Sequence, residues 1–296
     1  MQLRFDHLTK MFGNVTAFNI PALTIDTGEF FTFVGPPKSG KSTVLKVIAG
    51  LEAPSAGTLT AGGRVLNEID PGDRGVVLVS PSDGLDPGAH PNQIILCDEP
   101  AARVDASQRA SIVEELRRRH AQSGSTFIYA TAAQDEALAL SDRVVVLNDG
   151  VVQQVGTPVD VLERPRSIFV AGFFGDPPMN VVPGILEKDG VAVEIGPRAI
   201  QLNGVVTEDY ARDVFLGVRP EHVRLQLDPA TGWRGAVTRV EFAGGRTTIA
   251  VHVDGGDFVA REDGEGRYQV DDLVSVAMAR KHLCVFDACG DWLDVR

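Results

Sequence analysis

The sequence predicts an α/β domain built on a mostly parallel sheet, followed by a small all-β domain. Three observations point there. Continuous apolar runs alternate with helical segments through the first half, one of those runs ends in a glycine-rich turn that opens a helix, and after about Pro178 short alternating runs are broken by Gly, Asp and Pro. Strands of a parallel sheet read as continuous apolar runs because crossover helices cover both faces. Short alternating strands with frequent turn residues suit a barrel or sandwich. At 296 residues the chain has room for about two domains, placed at 1–178 and 179–296.

Taken in order, Glu29 to Val34 (EFFTFV) is a β-rich apolar run. It leads through GPPKSGKS into Thr43 to Leu51 (TVLKVIAGL), whose apolar spacing is helical. Gly75 to Val79 and Gln93 to Cys97 are two further buried-strand candidates. The stretch between them, SPSDGLDPGAHPN, is dense in Pro, Gly and Asp and can only be loop. Ala106 to Gln122 is a polar-faced helix, Ser125 to Ala130 a strand, Asp135 to Leu140 a short helix and Arg143 to Leu147 another strand. In the second domain VAVEIG, TIAVHVDG and LVSVAMA are short strands, and the boundary falls in Gly175-Asp176-Pro177-Pro178.

Composition narrows the function classes. Hydrophobic residues make up 44% and charged residues 23%, with a formal net charge of −12. So acidic a chain has no general attraction for phosphate backbones, which disfavours nucleic-acid binding. The N-terminus lacks the apolar core of a signal peptide, and no window approaches the roughly 20 apolar residues of a membrane span. A cytoplasmic chain is expected, with membrane contact only through a partner. Cys97, Cys284 and Cys289 lack CxxC spacing; reduced thiols are the favoured reading over a Cys284–Cys289 disulfide or metal pair.

Gly35-Pro36-Pro37-Lys38-Ser39-Gly40-Lys41-Ser42 fits G-x-x-x-x-G-K-[ST]. The glycines let backbone N–H groups and the helix N-terminus converge on phosphate oxygens. Lys41 would contact the β- and γ-phosphates and Ser42 would bind Mg²⁺. An accidental match loses, because the motif follows a predicted strand and opens a predicted helix. A strand, glycine loop and helix carrying this motif resemble the P-loop NTPases, so the fold class expected is a P-loop NTPase (RecA-like) core with a C-terminal all-β barrel. Ile94 to Pro100 (IILCDEP) ends a strand with two carboxylates at the edge where phosphate ligands of such sheets lie. Asp98 suits a Mg²⁺ ligand, directly or through water, and Glu99 the group that polarises an attacking water.

These residues resemble the ATP-binding cassette (ABC) ATPases of the maltose and glycerol-phosphate importer branch. DEPAARVDA is similar to Walker B plus D-loop, with Asp105 at the D-loop aspartate. SDRVVVLNDGVVQQVGTPVDVLERP, FVAGFFGDPPMN and LGVRPEHVRL are close to that branch, the last to its TOBE/OB-like regulatory barrel. The resemblance implies that ATP is held by Gly35, Pro36, Ser39, Gly40, Lys41, Ser42, Thr43 and Asp98, with Mg²⁺ on Ser42 and Asp98 and Glu99 as the catalytic residue. Phe12 in LTKMFGN matches the aromatic that stacks on adenine, or is a core residue. Expected partners are membrane permease subunits on the inner face of the cell membrane and a second cassette in a homo- or heterodimer.

The departures point toward lost hydrolysis. In the family several dozen residues, carrying the LSGGQ signature, separate the Q-loop from Walker B; here only the short loop above stands between Pro81 and Asp98. Pro81 falls at the Q-loop glutamine and Ala132 at the switch histidine. Pro37 and Lys38 replace the usual small residues and glycine, and Pro37 has no N–H to offer. Phosphoryl transfer depends on positioning and charge stabilisation, where losing one group commonly costs on the order of 10²–10³ in rate. An importer subunit with impaired hydrolysis is the first expectation. A non-transport nucleotide-binding regulator, or an inactive relic, is the alternative.

Overall fold

A computed structural model describes residues 1–79, 93–102, 104–187, 192–195, 198–201, 213–227, 233–254 and 256–293. The chain divides into two compact units, Met1–Glu163 and Arg164–Arg296. The first opens with β1 (Leu3–Phe12), β2 (Val15–Ile25), β3 (Phe30–Val34) and helix α1 (Lys41–Ala49). Then come β4 (Ala56–Ala61), β5 (Arg64–Val65), β6 (Val76–Val79), β7 (Ile94–Asp98) and α2 (Ala106–Ser123). It closes with β8 (Thr126–Thr131), α3 (Gln134–Leu140), β9 (Arg143–Asn148), β10 (Val151–Gly156) and α4 (Pro158–Glu163).

These strands join one sheet in the order β5-β4-β1-β2-β10-β9-β3-β8-β7-β6. The half β9-β3-β8-β7-β6 is parallel and has both faces covered. Phe31 and Phe33 of β3, with Leu96 and Ile128, pack against Val44, Leu45 and Ile48 of α1. The alternate residues Phe30, Ile95, Cys97, Phe127 and Tyr129 pack on the other side with Leu116 of α2 and Leu140 of α3. That two-sided burial is why the sequence shows unbroken apolar runs there.

The other half, built on β1, β2, β4 and β5, is antiparallel and joins the rest through one parallel pairing of Val151 with Asn19. The expectation of a mostly parallel sheet holds only for the β9-β3-β8-β7-β6 half. Strand β1 buries Leu3, Phe5 and Leu8, so its inward phase slips at His7, a non-glycine residue with φ +48°, where the pairing with β4 also shifts. A period broken this way gives no clean alternation to read.

The second unit starts with α5 (Ile168–Phe173), followed by β11 (Asn180–Leu186), β12 (Ala192–Ile195), β13 (Arg198–Gln201), β14 (Asp213–Val218) and β15 (Val223–Gln226). The remaining strands are β16 (Trp233–Ala243), β17 (Arg246–Val253), β18 (Gly256–Asp263), β19 (Leu273–Met278), β20 (Leu283–Asp287) and β21 (Trp292–Leu293). They form two antiparallel sheets, β13-β12-β11-β14-β20-β21 and β15-β19-β16-β17-β18, sharing one core that includes Val182, Leu216, Trp233, Val251, Phe258, Val276 and Val285. Helix α5 lies upstream of the Gly175–Pro178 turn yet packs into this unit, with Ala171 beside Met179, Cys284 and Phe286. Arg219 is buried and donates to the carbonyls of Ala171 and Phe174 at the end of α5, while Asn180 donates to Val218 O at 3.1 Å. The stretches FVAGFFGDPPMN and LGVRPEHVRL are thus one packed assembly. All three cysteines are free.

Candidate functional site

The predicted phosphate loop leaves β3 at its C-terminal end and turns into α1. Its two glycines are fixed by close approach. A Cβ on Gly35 would lie 2.0 Å from Leu147 O, and one on Gly40, at φ +103°, would lie 2.2 Å from Ala17 O. Lys38 at the apex takes φ +68°, a conformation that costs a non-glycine residue. No described side chain caps α1, and its first N–H groups, which have no intrahelical acceptor, face the loop. Lys41 Nζ donates to Gly35 O and Pro36 O, each at 2.9 Å, and to Ser39 Oγ at 3.4 Å. Lys41 is only 3% exposed. Burial pulls its ammonium below the usual lysine value, and the Glu99 and Asp98 carboxylates oppose that shift.

The two acidic residues come from the end of β7, beside β8 and two strands from β3. Asp98 Oδ1 accepts from Ser42 Oγ at 2.9 Å. Glu99 Oε1 lies 3.7 Å from Lys41 Nζ. Glu99 has φ +46°, and its N–H donates to Ala130 O at 2.9 Å. The side chain therefore turns off the strand line toward the loop, with 38% of it exposed. Lys41, Ser42, Asp98 and Glu99, distant in sequence, form one contiguous group along the loop, beside Gly35, Pro36, Ser39 and Gly40. Thr43 follows in the first turn of α1.

Other sequence-predicted residues lie elsewhere. Phe12, at the end of β1, is 49% exposed and has the Lys10 ammonium 4.7 Å from its ring centroid, so the core alternative for it falls. Asp105 is the N-cap of α2; its carboxylate accepts from Gln108 N at 2.8 Å in a reciprocal capping box. Ala132 is half-buried between β8 and α3. Pro81 and the loop 80–92 lie outside the described residues.

One group beside the site was not read from the sequence. Glu136 on α3 is buried and accepts from Tyr129 Oη at 2.8 Å and Thr131 Oγ1 at 2.6 Å, with Arg109 Nε of α2 3.4 Å away. Burial and the Glu136 carboxylate push the Tyr129 phenol well above its usual value. This cluster ties α2 and α3 to the end of β8 at Tyr129 and Thr131, just before Ala132 in the chain. Its only sequence signal is a glutamate on a short helix, which ordinarily faces water.

A family model described as ABC transporter matches residues 18–142, one described as MalK OB fold domain matches 175–223, and one described as TOBE domain matches 216–286. The xylose/arabinose import ATP-binding protein XacK of Haloferax volcanii is 31% identical, with 100% of this chain and 96% of XacK covered. The chain belongs to the ABC transporter ATP-binding proteins. This ABC protein also resembles the lactose transport ATP-binding protein LacK of Rhizobium radiobacter, at 29% identity over 98% of each chain. The sn-glycerol-3-phosphate import ATP-binding protein UgpC of Ruegeria pomeroyi is 31% identical, covering 86% of this chain and 88% of UgpC. The alignment with XacK spans 374 positions but takes in only the 296 residues of this ABC protein, which therefore carries gaps of several dozen positions. No described helix is long and apolar enough to cross a membrane.

Proposed function

We propose that this ABC protein is an ATP-binding subunit of an importer for carbohydrate-type solutes that keeps nucleotide binding and has impaired hydrolysis. The observation that carries the first half is the meeting of Lys41, Ser42, Asp98 and Glu99 at an uncapped helix N-terminus. The Ser42 hydroxyl and Asp98 carboxylate, 2.9 Å apart, are the hard oxygen donors that Mg²⁺ selects. Backbone N–H groups of Ser39 to Thr43 would hold the phosphates, and Phe12 offers an exposed ring for the adenine. Bound Mg²⁺-ATP supplies the transferable phosphoryl group and the charge that neutralises it. For its part, Lys41 exchanges the Gly35 and Pro36 carbonyls for phosphate oxygens, and Glu99 orients and polarises a water.

Impaired hydrolysis is supported by what surrounds that group. The Ala132 side chain is a methyl group and offers nothing to hydrogen-bond a phosphate or water. Strands β6 and β7 are adjacent and parallel and are joined by residues 80–93 alone. A parallel crossover itself takes a dozen or more residues, which leaves no room for a subdomain of several dozen. A composite site in which the signature of one cassette closes the phosphate loop of another is then incomplete in a homodimer. A complete second cassette, together with permease subunits, is the partner set this requires.

Nucleotide binding is tested by thermal unfolding. Mg²⁺-ATP at about 100 times its Kd stabilises the folded state by about 2.7 kcal/mol, and Lys41→Ala abolishes the shift. A wild-type chain that shows no shift at millimolar ATP contradicts this function.

A further inference from the structure

The second unit contains a cleft of about 580 Å³, within the range of small-molecule sites and separate from the phosphate loop. Its floor is the β17–β18 pair, where Arg246 lies opposite Asp263 and Arg261 opposite Thr248. Arg224 and Glu221 form one wall and the Gly175-Asp176-Pro177 turn another. Guanidinium groups from three strands therefore converge on one space.

Their existing bonds leave capacity for a ligand. The Arg261 Nε is buried and has no hydrogen-bond partner among the described residues, and a buried donor left unpaired is costly until something accepts from it. Arg224 Nη1 donates to the Glu221 carbonyl at 3.0 Å, which aims the group without neutralising it. Arg246 meets Asp263 at 3.4 Å, but the two side chains are 56% and 93% exposed, a pairing that solvent weakens.

The carboxylates decide what kind of ligand fits. Asp176, Glu221, Glu262 and Asp263 line the same cleft, so the three arginines are outnumbered and the lining has no net pull on a bare anion. A guanidinium fork matches a phosphate or carboxylate bidentately, while carboxylates accept hydrogen bonds from hydroxyls. A molecule carrying one phosphate and several hydroxyls uses both sets. We propose that the cleft binds a small phosphorylated sugar or polyol, with Arg261 as the anion anchor and the carboxylates on the hydroxyls.

Calorimetric titration of the full chain with glucose 6-phosphate, glucose and inorganic phosphate tests this. Glucose 6-phosphate binds below about 1 mM, and glucose and phosphate alone each bind at least about tenfold more weakly, since each lacks one set of charged hydrogen bonds. Arg261→Met weakens glucose 6-phosphate about tenfold or more while keeping the ATP-dependent thermal shift that reports a folded chain. Should that variant fail to fold, Arg246→Gln, at an exposed position, gives the same weakening. Absence of binding, equal binding of inorganic phosphate, displacement by ATP, or unchanged affinity in the folded variant overturns the proposal.

Discussion

Gly40 and Gly35 show how tightly the phosphate loop is specified by single residues: each sits where a Cβ would strike a backbone carbonyl, so the motif is a packing requirement as well as a phosphate site. The cysteines give a direct readout at the same scale. Burial alone pushes the Cys97 thiol up to about 12, and burial, opposed by the Arg219 guanidinium, raises Cys284 to about 11; Cys289 is exposed. Because the thiolate is the nucleophile, a raised value leaves almost none of it near pH 8. One thiol should react rapidly with an aromatic disulfide reagent in the native chain and all three after denaturation; three fast thiols would contradict the burial. The loop and the Asp98-Glu99 pair were legible because their residue types and spacing are themselves the chemistry. Glu136 and Arg109 were not, since a charged residue on a helix is normally solvated and only tertiary packing buries this one.

Among the elements, α1 shows a stabilising device that local sequence does not announce. The buried Arg74 donates through Nη1 to Val47 O at 2.8 Å and Ile48 O at 3.1 Å, and through Nε to Ile69 O at 2.8 Å. It thereby satisfies the carbonyls that the last turn of a helix leaves open. Arg74→Leu should destabilise the chain by about 2–3 kcal/mol, the cost of losing charge-assisted hydrogen bonds to buried carbonyls. Thermal unfolding without ligand checks it, and a change below about 0.5 kcal/mol, typical of an unimportant surface position, would show the cap to be idle. In the sequence Arg74 is a charge in the turn PGDRG, and its target is 27 residues away. The parallel strands were readable because both their faces are apolar; β1 and β2 were not, because a phase slip at His7 and Pro21 within β2 hide the alternation.

At the scale of the whole molecule, each unit has its own core. A fragment 164–296 should fold alone with β-type circular dichroism. It should also unfold at a higher temperature than 179–296, which lacks α5 and its bonds, such as Ile168 N to Gly290 O at 2.9 Å; equal stability would remove α5 from the unit. The all-β character of this half was plain from its turn-rich texture. A pairing inside it was not: β14 pairs with β20 and β15 with β19, and the β14–β15 and β19–β20 turns stack His222 on His282 at 3.5 Å between ring centroids, although RPEH and ARKH share little sequence. The central claim joins a competent phosphate loop to missing catalytic surroundings, and phosphate release from Mg²⁺-ATP by the purified chain tests it most directly. Turnover should fall below about 0.01 s⁻¹, at least 10² below the ordinary enzyme range of about 1–10³ s⁻¹, in the wild-type chain as in Glu99→Gln. Release at about 1 s⁻¹ or faster that collapses in Glu99→Gln would contradict it.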